Sequence, residues 1–208
     1  MQEKSGKKPI ITIALVIINV IVYLILEQLG STEDTELMLK KGAVYPPEIL
    51  RGEYWRLFTA MFMHFGFEHI LNNMFVFICA GPILEQGLGH VKYLILYLMA
   101  GMGGSTLSCL HMLQSGEYAV SAGASGAIFG IIGALLWIVI RHKGKYETLT
   151  GKGLVFMILI TLYYGVSSKG VDNWGHIGGL LMGFVMAVIL YRKPRKAVDL
   201  SEENPYTN

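Results

Sequence analysis

Ser121-Ala122-Gly123-Ala124-Ser125-Gly126-Ala127-Ile128-Phe129-Gly130 opens an apolar run that continues to Ile140. Ser125 heads the run, flanked by Gly123-Ala124 and Gly126. A hydroxyl at the head of a membrane helix is a functional candidate by default, because polar groups in hydrocarbon are costly. Ser125 is therefore read as a nucleophile working inside a bilayer, and the remaining residues test that reading.

The composition fits a membrane protein. Charged residues make up 15% of the 208 residues and hydrophobic ones 53%, where a soluble domain carries about 25% charged residues. The 25 glycines suit helices that approach closely in lipid. A net charge of +2, with no basic run interleaved with aromatics, excludes nucleic acid as a partner. Cys79 and Cys109 both fall in apolar runs and are expected to be free buried thiols rather than a disulfide or a metal pair.

The chain reads as an all-α integral membrane protein. A basic segment, residues 1–9, precedes a first apolar run from Ile10 to about Leu26. No small-x-small cleavage signal follows it, so it is read as a retained helix rather than a signal peptide. Residues 30–66 form a long connection too polar to span. Its mixture of charged residues with Trp55, Phe58, Phe62, Phe65 and Phe67 suits the membrane–water interface. Five further runs follow at about 69–85, 92–113, 125–140, 153–167 and 174–191. The membrane domain thus covers 10–191, with a polar tail at 192–208.

Six spans put both ends of the domain on one side. With the N-terminus inside, the inner segments carry 12 Lys and Arg and the outer ones 5. The positive-inside rule then makes both termini cytoplasmic. The second, fourth and sixth helices all begin outside, near His69, Ser125 and His176. Ser125 to Ile140 is sixteen residues, about 24 Å of helix against a hydrocarbon core of about 30 Å. Ser125 therefore lies below the outer boundary, and an irregular backbone at that depth implies a water-filled cavity open to the outside.

Small residues recur every four positions at Gly126, Gly130 and Ala134, and again at Gly175, Gly179 and Gly183. Such stripes let helix backbones meet. Ser125 adjoins one stripe and His176 the other, so facing stripes bring hydroxyl and imidazole within reach. His176 can then act as general base for Ser125. The oxyanion needs donors; the Ser125 backbone N–H, the Asn73 amide and His69 are candidates, His69 and Asn73 sharing one helix face. Taken singly, the serine reads as a cap, Asn73 as a helix–helix bond, and Trp55 and Arg56 as interface anchors. Their common depth favours a joint role. Asp172 is read as solvated, so a dyad is expected rather than a triad, and Glu85 is read as structural.

These residues resemble the rhomboid family of intramembrane serine proteases. Trp55-Arg56 is similar to the family's loop-one signature. His69-x-x-x-Asn73, Gly123-Ala124-Ser125-Gly126 and Gly175-His176-Ile177-Gly178-Gly179 with Gly183 match its remaining motifs in order. The resemblance implies a six-helix bundle with a long first outer loop in the cell membrane. It implies Ser125 as nucleophile, His176 as general base, and His69, Asn73 and the Ser125 backbone as the oxyanion site. It implies hydrolysis of peptide bonds in or near the transmembrane helices of single-span or other membrane proteins, with no metal, ATP or other cofactor. Phe129 stands where some members carry a tyrosine against the catalytic histidine; the ring can still stack.

Four other readings compete. A soluble α/β-hydrolase elbow fails because Ala127 stands where G-x-S-x-G requires its second glycine. A metalloprotease lacks H-E-x-x-H. A transporter would show inverted repeats, and none is evident. A catalytically inactive, client-binding rhomboid-like protein would be expected to have lost Ser125 or His176.

Overall fold

The computed structural model describes residues 8–167 and 170–192. Of the basic residues weighed for orientation, Lys4, Lys7, Lys169, Lys193, Arg195 and Lys196 lie outside the described residues, as does the polar tail from residue 193.

The chain is a helical bundle. Helix α1 (Ile10–Leu29) leads into the long connection, which is not a plain loop. It contains α2 (Thr35–Lys41), α3 (Pro46–Leu50), α4 (Arg56–Thr59) and a 3-10 turn at Ala60–Phe62. Then come α5 (Gly66–Leu88), α6 (His90–Ser115), α7 (Ser125–Arg141), α8 (Gly151–Ser167) and α9 (Asn173–Leu190). A two-residue hairpin, Lys145–Tyr146 with Leu149–Thr150, joins α7 to α8. Helices α1, α5, α6 and α9 are long and apolar enough to cross a membrane, while α7 and α8 are apolar but shorter. Isoleucines 13, 17 and 21 on α1, Phe75 and Ile78 on α5, Phe156 and Leu159 on α8, and Leu181 and Val185 on α9 are exposed. A soluble protein would not tolerate so wide an apolar belt. In lipid it is the expected exterior, and the molecule is a multi-pass membrane protein.

Helix α7 forms the centre. Ile128, Ile131, Ile132, Leu135 and Ile138 are buried on it, and it packs most extensively against α9 and α6. The two small-residue stripes do face each other. A methyl group at Gly179 would run into the carbonyl of Gly126, and one at Gly183 into the carbonyl of Gly130. Gly133 is closed in the same way by the carbonyl of Leu180. Glycine is thus required at these positions by backbone contact rather than by backbone conformation.

The two ends of the bundle are tied differently. At the end away from the long connection, Glu85 accepts from the backbone N–H groups of Ile11 (2.9 Å) and Thr12 (2.8 Å) and from Thr12 Oγ1 (2.6 Å). It caps the unsatisfied amides at the start of α1 and pairs with His90 Nδ1 at 2.6 Å, a structural role as expected. At the other end, Arg56 is 5% exposed, so it is not an interface anchor. Its guanidinium donates to the carbonyls of Leu39 (2.6 Å) and Ala43 (3.1 Å) and to Glu53 (2.7 Å). Loop carbonyls left unpaired by α2 draw the cation inward. Trp55 beside it is half exposed, with the guanidinium 4.9 Å from its ring centre. Cys79 is exposed on α5 and only Cys109 is buried, so the expectation of two buried thiols holds for one.

Two substitutions test this packing. Gly179→Leu forces α9 off α7 and should destabilise the bundle by about 3 kcal/mol, read by reversible unfolding in mixed detergent micelles. Arg56→Ala leaves two inward carbonyls unpaired and should cost about 2–4 kcal/mol. It should also open residues 30–66 to limited proteolysis while cleavage elsewhere stays slow.

Candidate active site

The starts of α5, α7 and α9 lie at one end of the bundle, beneath the long connection. There the Ser125 hydroxyl, on the first residue of α7, lies 2.9 Å from His176 Nε2 on the first turn of α9. The glycine contacts one turn further along set this distance. His176 is 7% exposed, and Ser125 keeps partial exposure. Phe129, one turn below Ser125, stacks on the His176 ring at 4.3 Å between centres and 7° between planes. The ring thus has one packed face, without a phenol. His176 Nδ1 is buried and has no hydrogen-bond partner among the described residues. With Nε2 unprotonated, the serine hydroxyl donates to it, the arrangement needed for proton removal.

The strand that delivers Ser125 is pinned from the long connection at three points. Ser121 and Val44 exchange two backbone bonds (2.8 and 3.0 Å), Gly123 N–H donates to the Ala60 carbonyl (3.0 Å), and Ala124 N–H donates to His64 Nε2 (3.3 Å). Burial pushes the His64 imidazole down to about 3, so it remains a neutral acceptor. As the first residue of α7, Ser125 has a backbone N–H without an intrahelical acceptor.

His69 is turned toward the same spot. Its Nδ1 accepts from Phe65 N–H at 3.3 Å, which puts the ring proton on Nε2. A methyl placed on Gly123 would lie 3.0 Å from His69 Nε2 and 3.6 Å from Ser125 Oγ. Gly123 also has φ of +150°, and its lack of a side chain keeps space between imidazole and hydroxyl. Asn73 is buried, and its Nδ2 donates to the His69 carbonyl at 3.0 Å. One of its two amide protons is thus engaged and the other remains available. Gly126 meets the carbonyl of Gly175 and the backbone of Gly104, joining α7, α9 and α6 at this level.

Asp172 departs from the sequence reading. It is not simply solvated: its carboxylate accepts from Ser108 Oγ of α6 (2.5 Å), Ser121 Oγ (2.6 Å) and Gly175 N–H (2.8 Å). Two hydroxyls from elements distant in sequence converge on it, and a polar residue preceding a helix carries no mark of such partners. His64 was also overlooked; its place five residues before His69, in an otherwise aromatic stretch, was the available signal. No group of three or more His, Cys, Asp and Glu side chains is arranged to hold a metal ion among the described residues.

A family model described as the Rhomboid domain matches residues 51–193. The chain is 35% identical over 183 residues to the Rhomboid protease GluP of Bacillus subtilis, covering 88% of this chain and 35% of that protein. It is 38% identical over 169 residues to the mitochondrial RHOMBOID-like protein 6 of Arabidopsis thaliana, covering 80% and 53%. It is 32% identical over 163 residues to Rhomboid-like protease 1 of Toxoplasma gondii, covering 76% and 54%. The chain spans about a third to a half of the length of these relatives. The family match takes in the end of the long connection and every helix from α4 to α9, the segment that builds the serine–histidine site, and the chain belongs to the rhomboid family.

Proposed function

We propose that this chain is an intramembrane serine endopeptidase that hydrolyses peptide bonds in or near the transmembrane helices of membrane proteins. One observation carries the reading: a 2.9 Å contact between the Ser125 hydroxyl and His176 Nε2, across two helices that glycine brings together. Packing alone needs neither side chain there. Two of the relatives carry the word protease in their names.

The chemistry follows from the groups in place. His176 Nε2 takes the hydroxyl proton as Ser125 Oγ attacks the scissile carbonyl carbon. The carbonyl oxygen becomes an oxyanion that accepts from the Ser125 N–H, the His69 Nε2–H and the free Asn73 amide proton. His176 returns the proton to the departing amine as the C–N bond breaks, leaving an acyl group on Ser125. Water, deprotonated by the same imidazole, attacks the ester carbon. Serine leaves as its Oγ regains the proton, and the carboxylic acid product is freed. Phe129 holds the ring in plane throughout. Neither metal nor cofactor enters the sequence of steps. The positive-inside count favours cytoplasmic termini, with the site opening to the outer face through a wet cavity beneath the lipid boundary.

Reconstitution in liposomes with a single-span substrate tests the reading. Ser125→Ala, His176→Ala and the double variant should each lose at least about 1,000-fold in kcat, with no further loss in the double. A serine-reactive phosphonate should modify wild-type protein at Ser125 alone, as mass spectrometry of the labelled peptide would show. Cleavage at the wild-type rate by Ser125→Ala or by His176→Ala would end the assignment. Asn73→Ala should lower kcat about 100- to 1,000-fold with little change in KM, because its bond strengthens only as charge develops. A fall in the folded fraction with normal turnover per folded molecule would make Asn73 a structural residue.

A further inference from the structure

Ser121 precedes Ser125 by four residues, and Asp172 precedes His176 by four. Ser121 Oγ donates to Asp172 Oδ2 at 2.6 Å, and Ser125 Oγ meets His176 Nε2 at 2.9 Å. The same two segments, separated by 51 residues in both pairs, are therefore bonded twice. One bond is the dyad and the other lies at the edge of the site, outside the catalytic groups.

We infer that Asp172 is a positioning residue for the dyad, its carboxylate clamping the serine strand and the histidine helix to α6 at a fixed separation. The carboxylate does three things at once. Oδ1 caps α9 through Gly175 N–H at 2.8 Å, fixing the turn that carries His176. Oδ2 takes Ser121, fixing the strand that delivers Ser125, and takes Ser108 at 2.5 Å, anchoring both to α6. A methyl on Gly175 would lie 2.8 Å from Oδ2 and 2.9 Å from the carboxyl carbon. The glycine before His176 therefore makes room for this carboxylate to lie flat on the helix start. Charged acceptors form the stronger hydrogen bonds, and the lone pairs of one carboxylate oxygen suffice for both hydroxyls while the other oxygen takes the amide. Glycine stripes alone leave α7 and α9 free to slide along each other, because small residues offer no side chain to interlock. The clamp removes that freedom at the level where tenths of an ångström matter to proton transfer.

The inference deepens the protease reading and rests on it. The test uses the full chain in liposomes with a single-span substrate, measuring kcat, KM, the rate of Ser125 modification by a fluorophosphonate, and thermal unfolding. Asp172→Ala should lower kcat and the labelling rate about 10- to 100-fold, with KM near wild type. Ser121→Ala should move the same way, and the Ser121→Ala/Asp172→Ala double variant should be no worse than Asp172→Ala. Asp172→Asn keeps a cap for Gly175 N–H, so it should unfold near the wild-type temperature and recover part of kcat. Variants that lose folded protein but label and turn over normally per folded molecule would overturn the positioning role. Additive losses in the double variant would do the same. Wild-type protein that neither cleaves nor labels would instead overturn the protease reading, and the positioning role with it.

Discussion

Backbone contact between α7 and α9 is the constraint on which the rest depends. In lipid no hydrophobic force drives one apolar helix against another, so association relies on van der Waals contact and on bonds between helices. Gly179 and Gly183 on α9 and Gly133 on α7 face the carbonyls of Gly126, Gly130 and Leu180 so closely that no side chain fits at these three positions. That closeness is what lets a residue with a short side chain, serine, reach an imidazole on the neighbouring helix. Had either stripe carried leucine, the axes would stand at an ordinary 8–10 Å, and the hydroxyl would fall short. The glycines are as much a part of the site as the groups that touch.

The same close packing sets the surroundings of the imidazole. His176 has Phe129 stacked on one face and the Ser125 hydroxyl at Nε2. Its Nδ1 is buried and has no hydrogen-bond partner among the described residues, and a carboxylate buried there would carry a desolvation cost that a single hydrogen bond recovers poorly. In the proposed mechanism the aromatic ring holds the plane of the imidazole. Phenylalanine suffices, because a face-to-face stack at 7° fixes the imidazole plane without a hydroxyl.

Sequence made the central features legible where periodicity carries geometry. Four-residue spacing announced both glycine stripes, and the positions of His69, Ser125 and His176 at run starts announced a shared end of the bundle. Features resting on contacts between distant segments were not legible. Arg56 looked like an interfacial anchor because its acceptors, the carbonyls of Leu39 and Ala43, are exposed by the way α2 ends. The long connection looked like a plain loop because α2, α3 and α4 are too short for a periodic pattern. Asp172 looked solvated because Ser108 lies 64 residues away and Ser121 lies 51 away. Cys79 illustrates the converse error. An apolar neighbourhood in sequence implies burial in a soluble core, whereas in a membrane bundle it equally describes the surface that meets lipid.

Glu85 and Asp172 together indicate how such a bundle holds its axial register. Both carboxylates accept backbone N–H groups from the first turn of a helix, α1 for Glu85 and α9 for Asp172, at opposite ends of the molecule. A helix start in or near lipid leaves amides that water cannot reach, and the positive end of its dipole adds to the cost. An anion there answers both at once, which makes the pairing favourable in a setting where isolated charge is not. It also acts at a point. Glu85, on α5, ties that helix to the first turn of α1, whereas Asp172 caps its own helix and reaches other segments through Ser108 and Ser121. Stripes bring α7 and α9 together, and the bonds from Ser108 and Ser121 to Asp172 tie the start of α9 to α6 and to the segment that leads into α7.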